Sequence, residues 1–222
     1  MYNYGVLRGI VMNYDVKMIE QMSNIEEGTS LLLHACCAPC SSGVLERIAD
    51  YFKVTIFYYN PNITLEEEYN KRIEEIKRFI SKFKTKYEIS FLEGNYDPKD
   101  FFAISKGLEN EPERGARCYK CYSLRLRETA RIADELNFPY FTTTLSLSPH
   151  KNVNWINEIG EDLDKKYSTN FLFCDFKKKN GYKRSIELSS EYNLYRQDYC
   201  GCVYSKRDRE NTKNKANLIA ES

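Results

Sequence analysis

Seven of the eight cysteines of this chain occur in three clusters, and their types and spacing could bind a metal or carry redox chemistry. The clusters are Cys36, Cys37 and Cys40; Cys118 and Cys121; and Cys200 and Cys202. Thiolates at such spacings are ligands for zinc and for iron–sulfur centres. Cys174 stands alone in an apolar run, and we interpret it as a small buried hydrophobic residue.

The rest of the sequence argues against a disulfide scaffold. Residues 1–28 are interrupted by acidic side chains and lack a contiguous apolar stretch, so we expect neither a secretory signal nor a transit peptide. No apolar run approaches the roughly 20 residues that span a bilayer. We therefore expect a cytoplasmic protein without a membrane partner. Disulfides are not maintained in the cytoplasm. At 42% hydrophobic and 29% charged residues, the composition excludes disordered and fibrous classes.

Two of the clusters predict a four-sulfur centre. The pair Cys118 and Cys121 forms a CxxC, and two further thiolates from elsewhere in the chain would complete four ligands. Cys36 and Cys37 are adjacent, which is awkward for one tetrahedral ion, whereas a 4Fe-4S cluster offers separate irons. This spacing favours a 4Fe-4S cluster held by these four cysteines, with zinc as the alternative.

The third cluster, Cys200-Gly201-Cys202, favours electron relay. A disulfide across one residue is strained and readily reduced, and Gly201 permits the turn that brings the sulfurs together. Alternatively, both sulfurs are metal ligands of a larger centre. Cys40 is left over, as a buried thiol or a ligand of an additional iron ion. Because seven thiols exceed the four that a structural site needs, we expect a redox enzyme.

The elements that must position these thiols alternate along the chain. Apolar runs of the buried-strand kind alternate with amphipathic helical segments, which predicts an α/β fold with a parallel sheet and helices on both faces. The predicted strands are residues 30–35, 54–59, 87–92, 140–144 and 170–174. The segments HACCAPCS, YNPNI and LSLSPH each follow a strand, so we expect the site at the carboxyl edge of the sheet.

Three parts of the chain differ in character. Residues 29–205 contain the alternating elements and all the cysteines, and we assign them to one catalytic domain. Residues 1–28 are interpreted as an N-terminal extension with enough apolar side chains to dock on that domain. Residues 206–222 are a polar tail, expected to be a frayed helix or disordered, to which we assign no chemistry.

The cysteine-bearing segments resemble the epoxyqueuosine reductases of the QueH type. The matching segments, which run in order over about residues 30–205, are LLLHACCAPCSS, YYNPNI, GARCYKCYSLRL, TTTLSLSPHK, DFKKKNGY and LYRQDYCGC. The resemblance implies a HUP-like α/β fold and the reduction of the epoxide of epoxyqueuosine, in the anticodon loop of a tRNA, to queuosine with loss of water. It implies no cobalamin, and it assigns Cys200 and Cys202 to a redox-active pair beside a 4Fe-4S cluster on Cys36, Cys37, Cys118 and Cys121.

One departure concerns the wider HUP-like class. Its ATP-using members carry a Gly- and Ser-rich pyrophosphate loop after the first strand, whose backbone amides bind phosphate. The segment HACCAPCS occupies that position here, so we expect no use of ATP.

The expected partners are a tRNA that carries epoxyqueuosine and an unidentified electron donor. The net charge is only +1, but basic residues cluster in two places. One cluster surrounds the CxxC (Arg114, Arg117, Lys120, Arg125, Arg127, Arg131), and the other is the segment Lys177, Lys178, Lys179, Lys183 and Arg184. Both are expected to contact RNA, and tyrosines such as Tyr59, Tyr182 and Tyr195 could stack on bases.

The candidate substrate-binding residues are Tyr59, Asn60, Asn62, Lys178 and Tyr182, although the two asparagines could simply bond their own turns. The sequence does not choose a proton donor among His34, His150, Asp175, Asp198 and Tyr59. Two other functions remain as alternatives: a zinc-stabilised RNA-binding module and an iron–sulfur tRNA sulfur-transfer enzyme.

Overall fold

A computed structural model describes residues 12–220 of the chain, so residues 1–11 of the predicted N-terminal extension and residues 221–222 of the tail lie outside the described residues. Five parallel strands form one sheet in the order β3-β2-β1-β4-β5. The strands are β1 Ser30–His34, β2 Lys53–Tyr58, β3 Ser90–Glu93, β4 Tyr140–Thr143 and β5 Asn170–Phe171. The predicted parallel sheet is confirmed.

Helices cover both faces of the sheet. They are α1 Tyr14–Met22, α2 Ala38–Ile48, α3 Glu66–Ile80, α4 Pro98–Ser105, α5 Ala116–Glu135, α6 Val153–Asp164, α7 Gly181–Glu191 and α8 Val203–Ala220, with a 3₁₀ helix at Thr144–Leu147. Helix α2 contacts α3 and α7, whereas α5 contacts α4 and α6. These two groups of contacts correspond to two helical layers, which confirms the predicted α/β class.

The central strand explains why the core lies where it does. Leu31, Leu32 and Leu33 of β1 are all fully buried, as expected for a parallel strand with both faces covered. Leu33 is in register with Ile56 of β2 and with Thr142 of β4. Strands β1, β2 and β4 therefore end together, and the loops that follow them meet at one edge.

The last strand, β5, ends at Phe171, whereas the sequence predicts a strand over residues 170–174. After Phe171 the chain continues beside β4, and a side chain of α1 forms the hydrogen bonds at the outer edge of this segment. Gln21 donates to the Phe171 carbonyl at 3.1 Å and accepts from the Phe173 backbone N–H at 2.9 Å. A glutamine amide thus satisfies backbone groups that a further strand would otherwise pair.

Both ends of the described chain are helical. In α1, Met18 is buried and Asp15 pairs with Arg47 at 2.6 Å, so this part of the extension docks on the domain as expected. The tail predicted as a frayed helix or disordered continues α8 to Ala220. Among the described residues, no helix combines the length and the apolar character needed to cross a membrane.

Candidate active site

The first group of thiols lies where β1 gives way to α2. Cys37 is the N-cap residue of α2, and Pro39 occupies its first turn, where a missing N–H is tolerated. The sulfurs of Cys36, Cys37 and Cys40 all lie within 4.8 Å of one another, and within residues 12–220 this is the one group of three or more such ligand atoms. Three soft thiolate ligands at this separation fit a metal centre.

These three thiols share hydrogen bonds. The pKa of the Cys36 thiol is lowered well below its usual range because Cys37 and Cys40 hydrogen-bond to its sulfur. The same bond to Cys36 raises the pKa of Cys37 to about 12. One thiolate is therefore stabilised by two neighbouring thiols, which would lose their protons on binding a metal.

The second group brings together four thiols from distant parts of the chain. Cys118 and Cys121 lie one turn apart near the start of α5, and Cys200 and Cys202 lie in the turn before α8. All four line one narrow cavity of about 20 Å³. Burial raises the pKa of Cys121 to about 12. The structure thus joins the predicted CxxC to the predicted redox pair.

The turn at Gly201 is held from two sides. Gly201 has a φ of +119°, which favours glycine, and an added Cβ would lie 2.8 Å from Cγ1 of Ile63. Arg72 donates to the Cys200 carbonyl at 3.3 Å, and its own charge is paired with Glu68 at 2.7 Å. The positions of Cys200 and Cys202 therefore depend on α3 as well as on their own turn.

A larger cavity of about 370 Å³ adjoins both groups of thiols. Its lining includes Cys36, Cys40, Arg72, Arg125, Lys151, Tyr182, Gln197, Cys200 and Arg209. Cys200 lines both cavities. The volume is in the range of sites that hold small molecules, so a nucleoside-sized group fits beside the thiols. Arg209 belongs to the tail, to which the sequence assigned no chemistry.

Two cations lie among the sulfurs. Lys151 Nζ donates to the Cys200 sulfur at 2.9 Å. Burial opposes the charge of Lys151, but Cys200 and Tyr122 together outweigh that cost and raise its pKa. Arg125 is fully buried, and Cys121, Cys200 and Cys36 likewise outweigh desolvation and raise its pKa. The site is therefore electropositive around its thiols, which stabilises negative charge there.

The predicted substrate-binding residues are spread over the surroundings of the cavity. Tyr182 lines the large cavity, and Asn62 lines the narrow one. Tyr59 is buried and donates to Asp100 at 3.0 Å, while Asn60 is buried and donates to the Ala35 carbonyl at 2.8 Å. Lys178 is exposed on the loop before α7. Of the five predicted substrate-binding residues, Tyr182 alone lines the large cavity.

The expected RNA footprint around the CxxC was wrong for two of its residues. Arg117 and Arg125 are fully buried, so neither side chain presents a charge at the surface. Arg117 instead donates to the carbonyl oxygens of Leu108, Glu109 and Glu111, at 3.0, 3.1 and 2.6 Å. A buried arginine is tolerated at these positions because its guanidinium can donate hydrogen bonds to several acceptors at once.

The two histidines differ in their surroundings. His34 is fully buried; its Nδ1 lies 2.8 Å from the Thr143 hydroxyl, and its Nε2 lies 3.2 Å from the Tyr59 carbonyl. Burial lowers the pKa of His34 to about 3, so it is neutral near pH 7. His150 is exposed at the rim of the large cavity, where Arg114 contacts its Nδ1 at 3.0 Å.

Sequence reasoning missed Arg72, Lys151 and Gln197 as residues of the site. For Arg72 a signal exists, since it lies on the inward stripe of α3 with Tyr69, Ile73 and Ile76. A charged residue on an apolar helical stripe indicates a buried partner. Lys151 follows a strand by several residues, and nothing in its spacing indicates contact with Cys200.

Comparison with known proteins identifies the family. The family model described as "Epoxyqueuosine reductase QueH" matches residues 31–208. The epoxyqueuosine reductase QueH of Streptococcus pyogenes serotype M1 is 44% identical over 202 residues, covering 88% of this chain and 79% of that protein. The proteins of the same name from Staphylococcus epidermidis and Thermotoga maritima are 41% and 34% identical, covering 87% and 81% of this chain and 84% and 92% of their own lengths. The chain belongs to the epoxyqueuosine reductase QueH family.

Proposed function

We propose that this protein reduces the epoxide of epoxyqueuosine in tRNA to the alkene of queuosine, with release of water. The observation that carries the proposal is the position of Cys200, which lines both the four-thiol cavity and the 370 Å³ cavity. Electron-carrying sulfur therefore adjoins a pocket large enough for a modified nucleoside. The family membership supports the same reaction.

An iron–sulfur centre is the cofactor that this donor set fits best. Seven thiols in two neighbouring groups are soft ligands, and buried cations offset their negative charge. When bound, such a centre supplies electrons one at a time. The proposal needs neither cobalamin nor ATP.

Two ligand sets are compatible with this proposal. In the first, Cys36, Cys37, Cys118 and Cys121 hold a 4Fe-4S cluster, and Cys200 with Cys202 relays electrons. In the second, Cys118, Cys121, Cys200 and Cys202 hold the cluster, and the triad that contains Cys40 holds an additional iron ion. The second set is favoured by the common cavity of its four thiols and by the separate grouping of the triad.

The residues of the chain itself provide binding and charge. Lys151 and Arg125 stabilise negative charge beside the sulfurs, and Tyr182 offers an aromatic ring for stacking on a base at the cavity wall. Lys178 lies on an exposed loop, where it can contact an RNA phosphate. The remaining partner is an unidentified electron donor. Because the substrate is tRNA, the proposed enzyme works in the cytoplasm.

The parts of the chain contribute unequally under this proposal. The catalytic domain of residues 29–205 contains every thiol of the site. The described part of the extension supports the domain through Asp15 and Gln21. The tail adds Arg209 to the cavity wall.

The decisive experiment uses anaerobically purified protein. We expect bound iron with inorganic sulfide, and conversion of an epoxyqueuosine anticodon stem-loop to queuosine with dithionite as reductant. Cys118→Ser and Cys121→Ser should each lose most of the iron, the sulfide and the conversion, because each removes a thiolate ligand.

Cys174→Ala is the matched control, because Cys174 is buried and belongs to neither thiol group, and burial raises its pKa to about 11. It should keep iron and activity. A zinc-loaded, sulfide-free protein that converts nothing would instead support a zinc-stabilised RNA-binding module. Sulfur incorporation into the RNA would support a sulfur-transfer enzyme.

A further inference from the structure

Among the residues that the structure describes, three arginines are fully buried, and one of them lacks the partners that the other two have. Arg72 is ion-paired with Glu68, and Arg117 donates to three backbone carbonyls. Arg125 is 1% exposed, and no carboxylate oxygen lies within 4.0 Å of it among the residues that the structure describes. A buried guanidinium without a carboxylate is costly, so an anionic partner is expected from elsewhere.

The hydrogen bonds of Arg125 leave donor capacity unused. Its Nε donates to the Cys121 carbonyl at 3.4 Å, and its Nη1 donates to Oδ1 of Asn60 at 3.3 Å. Both bonds are long, both acceptors are neutral, and Nη2 has no acceptor in the described structure. A guanidinium carries five N–H donors, so several remain available.

The arginine is also held in place beside the cavity. Asn60 is fixed by its own bond to the Ala35 carbonyl at 2.8 Å, and it therefore positions the guanidinium that it accepts from. Arg125 lines the 370 Å³ cavity that we assign to the modified nucleoside. A preorganised donor beside a substrate cavity is the arrangement that stabilises charge developing during a reaction.

The reaction places such a charge on one atom. Reduction of the epoxide takes two electrons from the reductant and two protons from water. The first electron breaks one C–O bond and leaves the oxygen anionic on its remaining carbon. The second electron completes the carbon–carbon double bond as the other C–O bond breaks, and the two protons convert the departing oxygen to water. The epoxide oxygen is thus the atom that becomes anionic.

We propose that Arg125 is a catalytic residue that donates a hydrogen bond to the epoxide oxygen as its C–O bonds break. This inference rests on the proposed function. It gives the guanidinium at the cavity wall an anionic partner that exists only during the reaction, which explains why no carboxylate is provided among the described residues. The competing role is compensation of the negative charge of the thiolate centre, because the sulfurs of Cys36, Cys121 and Cys200 also surround Arg125.

The test compares Arg125→Gln and Arg125→Lys with Arg78→Gln. Arg78 lies on α3, is paired with Glu75 at 2.7 Å and lines neither cavity, so it serves as the control. For each protein we would measure iron and sulfide, the midpoint potential by anaerobic titration, affinity for stem-loops carrying epoxyqueuosine or queuosine, and single-turnover reduction by pre-reduced protein.

We expect Arg125→Gln to keep iron and sulfide, and to lower the midpoint potential because a positive charge beside the sulfurs is lost. Its single-turnover rate should fall about 100-fold or more even when a strong reductant reduces the centre fully. Its preference for the epoxide over the alkene stem-loop should diminish, because only the epoxide offers the oxygen. Arg125→Lys should retain part of the rate, since it keeps the charge but not the planar fork. Arg78→Gln should match the wild type.

Other outcomes overturn the inference. A wild-type single-turnover rate in Arg125→Gln would exclude the proposed role. A lowered midpoint potential, with the rate recovered by a stronger reductant, would assign Arg125 to the thiolate centre instead. If Arg125→Gln loses iron, the iron content of Arg125→Lys decides the interpretation. Iron loss in both variants would make Arg125 a structural residue and would exclude the proposed catalytic role. Failure of the wild type to convert the stem-loop would instead refute the proposed function, whatever Arg125 does.

Discussion

Lys151 and Cys200 form a direct contact between a half-buried ammonium group and a sulfur, with 2.9 Å between Nζ and Sγ. The two residues are far apart in sequence, on the segment before α6 and on the turn before α8. Because Cys200 lines both cavities, this contact places a positive charge where the four-thiol cavity adjoins the 370 Å³ cavity. The lysine therefore acts on the electrostatics of the sulfur rather than on the fold alone.

The first prediction follows from this contact. Lys151→Met removes a hydrogen bond and a charge beside a sulfur, which makes negative charge at the site less favourable. We expect the midpoint potential of the iron–sulfur centre to fall by about 30 mV or more. Anaerobic titration followed by electron paramagnetic resonance would measure it. Lys165→Met, an exposed lysine at the end of α6, should leave the potential unchanged, and equal potentials in both variants would contradict the prediction.

The second prediction concerns the backbone of the Cys200–Cys202 turn. Gly201→Ala places a methyl group 2.8 Å from Ile63 in a φ region that alanine rarely adopts. We expect a loss of about 1 to 3 kcal/mol in the free energy of unfolding, together with loss of iron or of turnover, because both cysteines shift. Chemical denaturation and iron analysis measure the two effects.

Gly107→Ala is the matched control for this substitution. Gly107 also has a positive φ, of +78°, but nothing lies within 4 Å of an added Cβ. We expect a cost of about 1 to 2 kcal/mol from backbone strain alone, with iron and turnover retained. If both variants lost iron equally, backbone strain and not the position of the turn would be responsible.

The sequence predicted the architecture well, because that architecture depends on short-range patterns. The leucines of β1 follow the pattern of a buried strand, and β1 occurs within one residue of its predicted bounds. Strand β5 was the exception. The backbone of Phe171 and Phe173 is bonded to Gln21, some 150 residues away in sequence, and no local pattern shows such a contact.

The site was less accessible to sequence reasoning, because its residues meet only in three dimensions. The cysteine clusters were visible from their spacing, yet which clusters adjoin one another is set by α5 and the turn at Gly201. Arg125 was interpreted as a surface charge, since a basic run around a CxxC resembles an RNA contact. Its burial follows from the inward face of α5, which also carries Cys121 and Leu126.

The third prediction distinguishes among the lysines of the loop before α7. Lys177 is paired with Asp175 at 2.5 Å, and Lys179 lies 3.9 Å from Asp15, whereas Lys178 is exposed and forms no ion pair with any residue that the structure describes. Lys178→Ala should therefore reduce the salt dependence of stem-loop binding by about 0.7 in the log–log slope, as for one phosphate contact on a single strand.

Binding titrations at several salt concentrations would check this slope. The triple substitution of Lys177, Lys178 and Lys179 by alanine should lower the slope further by about one phosphate contact at most. Lys177 is already paired with Asp175, whereas Lys179 lies 3.9 Å from an aspartate that is paired with Arg47. Lys165→Ala, on α6, is the control and should leave the slope unchanged. An unchanged slope in the triple variant would remove this loop from the RNA-binding surface.

The last prediction decides between the two ligand sets. Cys200→Ser and Cys202→Ser each remove one sulfur from the turn, and the common cavity with Cys118 and Cys121 favours loss of iron in both. Electron relay by the pair predicts a different result: iron and the visible spectrum are retained, but multiple turnover with dithionite is lost.

Iron, visible absorbance and turnover must therefore be measured on one preparation of each variant. Cys202 is buried and its sulfur accepts from the Ser205 backbone N–H at 3.3 Å, so serine, which can accept the same bond, preserves the start of α8. Thermal unfolding should accordingly change little, and a loss of iron is then attributable to the missing ligand. Cys174→Ala controls for loss of a buried thiol elsewhere. Full turnover by both serine variants would exclude both roles for the pair, because neither metal ligation nor electron relay survives loss of the sulfur.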